Sequence, residues 1–152
     1  MKIHVLIDAD ACPVTDIVIR VSSDYEIEPI LFCDTSHRIE RENVKTITVD
    51  KGRDAVDFAL LETLTPNDIV VTQDYGLAAM ALAKRGFAID QNGREFTNEN
   101  IDSLLYTRFV GQQIRQAGGR TKGPKKRKKE NNSAFETKFR QICEQAILIK
   151  EK

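Results

Sequence analysis

Residues 2–13 read KIHVLIDADACP, an apolar, β-branched run that ends in two carboxylates one residue apart and then a proline. The run predicts a short buried strand over 2–8. Pro13 can open a helix, where its missing N–H costs nothing. In the following PVTDIVIRVSSDY, Val14, Ile17, Val18 and Val21 recur at helical spacing. Asp8 and Asp10 at the strand tip repel each other and lose hydration, and a bound cation is the commonest compensation for such a pair.

The same alternation continues along the chain. Strands are predicted at 28–34, 44–50, 69–74 and 87–90. Helices are predicted over 52–64, with Val56, Ala59, Leu60 and Leu64 inward, and over 75–86, closed by Gly86. Another lies within 97–118, capped by Thr97 or Asn98, and a last one at about 133–149 opens on the capping box Ser133–Glu136. This order predicts an α/β fold, a three-layer α/β/α sandwich with a mostly parallel central sheet. One domain is expected over 1–152, with a basic loop at 118–132 between the last two helices.

Composition narrows the classes. The chain is 41% apolar and 30% charged, ordinary for a globular protein. No apolar run approaches the roughly 20 residues a bilayer requires, and no signal peptide is legible. A cytoplasmic protein without a membrane partner is expected. Cys12, Cys33 and Cys143 form no CxxC pair, which argues against a disulfide framework or a zinc site and for small core residues. The zero net charge hides an asymmetry: residues 1–102 carry 19 acidic and 10 basic side chains, whereas 103–129 carry nine basic and no acidic ones.

In open parallel sheets ligands bind at the carboxyl ends of the strands. Asp8 and Asp10, Asp34, Asp50, Asp74 and Asp90 all fall there, and Asp54 and Asp57 follow the third strand. Asp34, Asp50 and Asp90 taken singly read as turn or cap residues. The set Asp8, Asp10, Asp54, Asp57 and Asp74, with Arg53 as its main neighbouring cation, reads as hard oxygen ligands for Mg²⁺ or Mn²⁺. Thr72 and Gln73 stand beside Asp74 as supporting hydrogen-bonding groups. His4 is expected to be structural, and His37 to sit in a polar loop within reach of a ligand.

Four motifs in order, DADACPV, RDAVDFAL, VVTQDYGLAAMAL and GGRTKGPK, resemble the YaiI/YqxD family of bacterial PIN-like proteins over nearly the whole chain. The wider similarity is to PIN-domain nucleases, in which an aspartate follows strand one, acidic residues open a middle helix and a Thr-x-Asp follows a later strand. Asp8, Asp54 or Asp57, and Asp74 match those positions. The resemblance implies a Mg²⁺ or Mn²⁺ site for phosphodiester hydrolysis of RNA or DNA, with Asp8, Asp10 and Asp74 catalytic. Gly76 stands where many such nucleases carry a further acidic residue, and Asp10 is the candidate substitute.

The basic loop fits a polyanion. Arg120, Lys122, Lys125 and Lys126 are the expected nucleic-acid contacts, neutralising phosphates that the acidic site would repel. Two alternatives are open. A nucleic-acid-binding module with a vestigial metal site would bind without turnover. A HAD-like phosphatase also ends a strand in Asp-x-Asp, but Cys12 occupies the place where that pattern has Thr or Val.

Overall fold

In a computed structural model, residues 2–10, 12–37, 39–52, 54–123 and 126–151 are described. The elements follow in the order β1 (His4–Asp8), α1 (Thr15–Asp24), β2 (Glu28–Asp34), β3 (Lys45–Val49), α2 (Ala55–Thr63), β4 (Ile69–Val71), α3 (Tyr75–Ala83), β5 (Phe87–Ile89), β6 (Glu95–Phe96), α4 (Ile101–Gln116) and α5 (Lys129–Glu151). The sheet has six strands in the order β3-β2-β1-β4-β5-β6, parallel except for β6. The expected α/β sandwich with a mostly parallel sheet is what the chain forms.

Two cores explain the layers. Strand side chains alternate between faces, so Val5, Ile7, Leu31, Ile69, Val71 and Ile89 meet α1 and α5 on one side. Leu6, Ile30, Phe32, Val70 and Ala88 meet α2, α3 and the first turns of α4 on the other. β1, β2, β4 and β5 are apolar on both faces, which is why they read as continuous runs and not as alternation. The strand order reverses at β1 and β4, which pair directly with Val5 opposite Ile69 and Ile7 opposite Val71. Their carboxyl ends, and therefore Asp8 and the segment 72–74, stand side by side at the switch point.

At the opposite edge Asp68, 1% exposed, ties β1 to β4. Its Oδ1 accepts the His4 N–H at 2.9 Å, and its Oδ2 accepts the Thr65 N–H and hydroxyl, both at 2.8 Å. Asp68→Ala takes this partner from the His4 N–H and from both Thr65 donors. It should destabilise the protein by about 1–3 kcal/mol, read from the urea midpoint at unchanged m-value.

Several boundaries differ from the sequence expectation. The strand expected over 69–74 stops at Val71, and residues 72–74 form the turn into α3. β6 was not foreseen, because a two-residue antiparallel strand has no period to detect. Its turn is built on Asn92-Gly93. Asp90 Oδ1 accepts the N–H groups of Asn92 (2.8 Å) and Arg94 (2.9 Å), and Gly93 takes φ 91°. A Cβ on Gly93 would stand 2.7 Å from the Ala134 carbonyl oxygen, so this turn is wedged against α5.

The last helix begins at Lys129, which puts Ser133 inside it and shortens the expected 118–132 loop. The Ser133–Glu136 capping box does not form the start. Asn131 instead reaches back, its Oδ1 accepting the Lys128 N–H at 2.7 Å. α4 ends in a Schellman turn, with Gly118 at φ 87° and the Gly119 N–H donating to the Ile114 carbonyl at 2.9 Å. No helix among the described residues is long and apolar enough to cross a membrane.

Candidate active site

β1 delivers Asp8 as its last residue, beside the turn after β4. Buried Thr72 connects the two: its hydroxyl donates to Asp8 Oδ2 at 2.9 Å and accepts the Asp74 N–H at 3.0 Å. Asp74 caps α3, its Oδ1 accepting the Leu77 N–H at 3.1 Å. α2 brings Asp57 in its first turn. Asp54, inside the helix expected over 52–64, is instead the residue before it, with φ 62° and no side-chain capping bond. Aspartate tolerates this left-handed conformation better than most side chains.

These carboxylates feel one another. Burial pushes the Asp57 carboxyl up to about 6, and the charges of Asp74, Asp8 and Asp54 add to the effect. Asp8 is raised mainly by burial, held back by the Thr72 hydrogen bond and pushed further by Asp10 and Asp74. Arg108 of α4 faces the group, with Nη1 3.6 Å from Asp74 Oδ1.

Asp57 titrates higher in the folded chain than its ordinary 3.8, so ionising it between pH 4 and 6 works against folding. In metal-free buffer Asp57→Asn should therefore raise the melting temperature above pH 6 and leave it unchanged below pH 4. Thermal melts across pH 3.5–8 check this. A variant less stable at pH 7 would show Asp57 to be a structural cap.

Asp74 and Arg108 stand at the junction of two lobes of a cleft. One lobe of ≈ 330 Å³ is lined by Asp54, Asp57, Phe58 and Met80 as well. The other, of ≈ 590 Å³, reaches Asp8, Gln73, Asp90, Asn92 and Arg94. Gly76 lies in the first lobe, where a Cβ would stand 3.2 Å from Asp74 Oδ1. A side chain there would press on that carboxylate, so the glycine keeps Asp74 open.

Asp10 faces another way. Its Oδ1 lies 3.4 Å from His37 Nδ1, which is also 3.3 Å from Asp34 Oδ1. That oxygen is shielded from solvent and makes no hydrogen bond, so the imidazole offers it charge proximity only. Burial raises the Asp10 carboxyl, with His37 opposing and Asp34 adding to the shift. Asp34 accepts the Ser36 N–H (2.8 Å) and hydroxyl (2.5 Å), the turn role expected of it. Among the described residues, Asp10, Asp34 and His37 form the group whose ligand atoms all lie within 4.8 Å, whereas Asp8, Asp57 and Asp74 are spaced more widely. The five expected ligands thus divide, with Asp10 on the β2 side and the others around the cleft. A small cavity of ≈ 30 Å³ still touches both Asp8 and Asp10, along with Thr72 and Gln73.

The expected nucleic-acid contacts are more peripheral. Arg120, Lys122 and Lys126 are exposed and line neither lobe, and Lys125 and Arg53 lie outside the described residues. Two arginines that line the cleft, Arg94 and Arg108, escaped the sequence reading. Arg127, within the basic run, donates through Nη2 to the Gln91 carbonyl at 2.9 Å, which pins the basic segment beside the β5–β6 turn. The one available signal was Arg108 itself, a charge four residues after Leu104 on the inward face of α4.

A family model described as "Uncharacterized BCR, YaiI/YqxD family" matches residues 6–145. The chain belongs to the YaiI/YqxD family. Its match spans every site residue named above, from Asp8 to Arg127. Similar chains include a "UPF0178 protein" of Exiguobacterium sibiricum, 61% identical over 136 residues covering 90% of this chain and 93% of that one. A "UPF0178 protein" of Ruminiclostridium cellulolyticum is 50% identical, covering 88% and 87%. Another from Natranaerobius thermophilus is 45% identical, covering 93% and 96%. No solved structure matches.

Proposed function

We propose that this YaiI/YqxD protein is a Mg²⁺- or Mn²⁺-dependent nuclease that hydrolyses phosphodiester bonds of RNA or DNA. The observation that carries the reading is the convergence of Asp8, Asp54, Asp57 and Asp74 on one cleft, where their charges add to burial in raising the Asp57 carboxyl. Carboxylates held together at such a cost are characteristic of functional sites. The donors suit the ion: all are hard oxygens, and Mg²⁺ keeps several of its own waters, so one or two carboxylates are enough to hold it. Asp8, Asp57 and Asp74 would hold it, with Asp54 at the rim and Asp10 on the far side of Asp8. The bound ion would supply an activated water and stabilise charge on the phosphoryl oxygens.

The protein's own groups have separate tasks. Thr72 fixes the Asp8 carboxylate and the Asp74 backbone in one hydrogen-bonded unit. Asp74 is further held by the first turn of α3. Water adds at phosphorus, the ester P–O bond breaks, and the departing sugar oxygen takes up a proton. The resemblance to PIN nucleases supports the same assignment.

The test is cleavage of a panel of fluorescein-labelled RNAs and DNAs in Mn²⁺, with EDTA and Asp8→Asn as controls. Metal-dependent cleavage lost in both controls is expected. Salt-sensitive binding with no cleavage would favour a binding module, and a phosphoenzyme trapped at Asp8 would favour a phosphatase.

A further inference from the structure

We propose that Arg108 is a two-partner residue, paired with Asp74 in the free protein and turning to a substrate phosphate when the carboxylates take up their ion. Arg94 is the second arm of the same clamp. The inference rests on the nuclease reading and names the residues that receive the anion.

Three observations converge on these two arginines and not on the basic loop. Arg108 Nη1 lies 3.6 Å from Asp74 Oδ1, beyond the usual hydrogen-bond range, so the pair is a charge contact without a fixed bond. Both side chains remain partly exposed, 47% and 37%, so the guanidinium can leave. Arg108 also borders both lobes of the cleft, as Asp74 does.

Arg94 shares the larger lobe with Asp8 and Asp74, and its placement is rigid at the backbone. The Asp90 carboxylate holds the Arg94 N–H at 2.9 Å, and Gly93 abuts the Ala134 carbonyl. Arg94 therefore projects from a locked turn, whereas Arg120 and Lys122 project from an exposed segment lining neither lobe. A guanidinium can donate two parallel N–H bonds to a phosphate, which a mobile lysine does not reproduce.

The two states of Arg108 predict opposite effects of one substitution. Removing a cation beside Asp74 favours metal, and removing an anion clamp disfavours substrate. Mn²⁺ titration calorimetry on the full chain should show Arg108→Ala binding the ion about two- to fivefold more tightly than wild type. In single- and multiple-turnover cleavage of a fluorescein-labelled 12-nucleotide RNA or DNA, KM should rise about tenfold or more for Arg108→Ala and for Arg94→Ala, with kcat less affected. Arg108→Lys should recover part of the KM while keeping the metal affinity near wild type. Arg94→Ala should leave Mn²⁺ affinity unchanged. A wild-type protein that binds Mn²⁺ and cleaves, with Arg108→Ala altering neither affinity nor KM, would overturn the clamp and leave the nuclease reading standing. Tighter metal with an unchanged KM would also overturn it. A wild type that neither binds Mn²⁺ nor cleaves would remove both.

Discussion

Asp8→Asn will lower Mn²⁺-dependent cleavage by about two to three orders of magnitude while the protein stays folded. The expectation follows from where Asp8 sits. It ends the central strand, next to β4, and receives one hydrogen bond from buried Thr72. Asparagine fills the same volume, and its carbonyl oxygen can accept the Thr72 hydroxyl. What it lacks is the charge. In the metal-free protein that charge is unfavourable, since burial, Asp10 and Asp74 all push the carboxyl up. Neutralising it should leave thermal stability equal or higher at pH 7. Activity should fall because the ion loses an anionic ligand at the point where β1 and β4 meet. Single-turnover cleavage, Mn²⁺ calorimetry and melting curves on the same preparation separate these effects. Activity within tenfold of wild type, at normal stability, would show that the site is not built on Asp8. Lost activity accompanied by unfolding would assign Asp8 to structure.

Much of this site was legible because it belongs to the backbone. Once the alternation predicts a parallel sheet, the carboxyl ends of the strands are known to lie together, and Asp8 and Asp74 must follow. Asp57 came from its place in the first turn of a helix after β3. The division of Asp10 from that group was not legible. One residue beyond Asp8 the chain leaves the strand, and the direction of the next side chain depends on a turn whose shape the sequence does not state. His37, brought from the β2 end beside Asp34, then faces Asp10. The cationic side of the cleft was missed for a different reason. Arg94 and Arg108 are 14 residues apart in separate elements, and no local pattern links them. The basic run at 125–129 is conspicuous in sequence, yet the contact with the β5–β6 turn comes from the side chain of Arg127.

The start of α5 shows how tertiary contact overrides a local signal. Ser133 with Glu136 is a valid capping pattern, but Glu136 is engaged with Arg20 of α1 and Arg140. The helix extends four residues further back, and its first turns close against the β5–β6 turn.

That contact makes α5 the element whose core substitution should cost the most. Phe135 and Phe139 are fully buried and stacked, with centroids 5.4 Å apart. They lead the buried face continued by Ile142, Cys143 and Ala146, which covers the β1 and β4 side chains beneath the site. Phe135→Ala should destabilise the protein by about 3–5 kcal/mol. For a chain of this size that lowers the melting temperature by roughly 6–20 °C. The exposed links between α5 and α1, among them Arg20–Glu136 and Arg140–Asp24, offset little of such a loss because solvent screens them. Leu148→Ala, on the exposed side of the same helix at 61% accessibility, should change stability by no more than about 0.5 kcal/mol. The functional consequence lies next door. The Phe135 backbone N–H is 3.1 Å from where a Cβ on Gly93 would sit, so a cavity at Phe135 loosens the turn that presents Arg94. Below its melting temperature, Phe135→Ala should therefore raise the KM for an oligonucleotide while Mn²⁺ affinity holds, because the carboxylates come from other segments. A melting point within about 2 °C of wild type would mean that α5 is not load-sharing with the sheet. Equal losses of metal and substrate affinity would mean that the cleft's acidic and basic sides do not stand on separate supports.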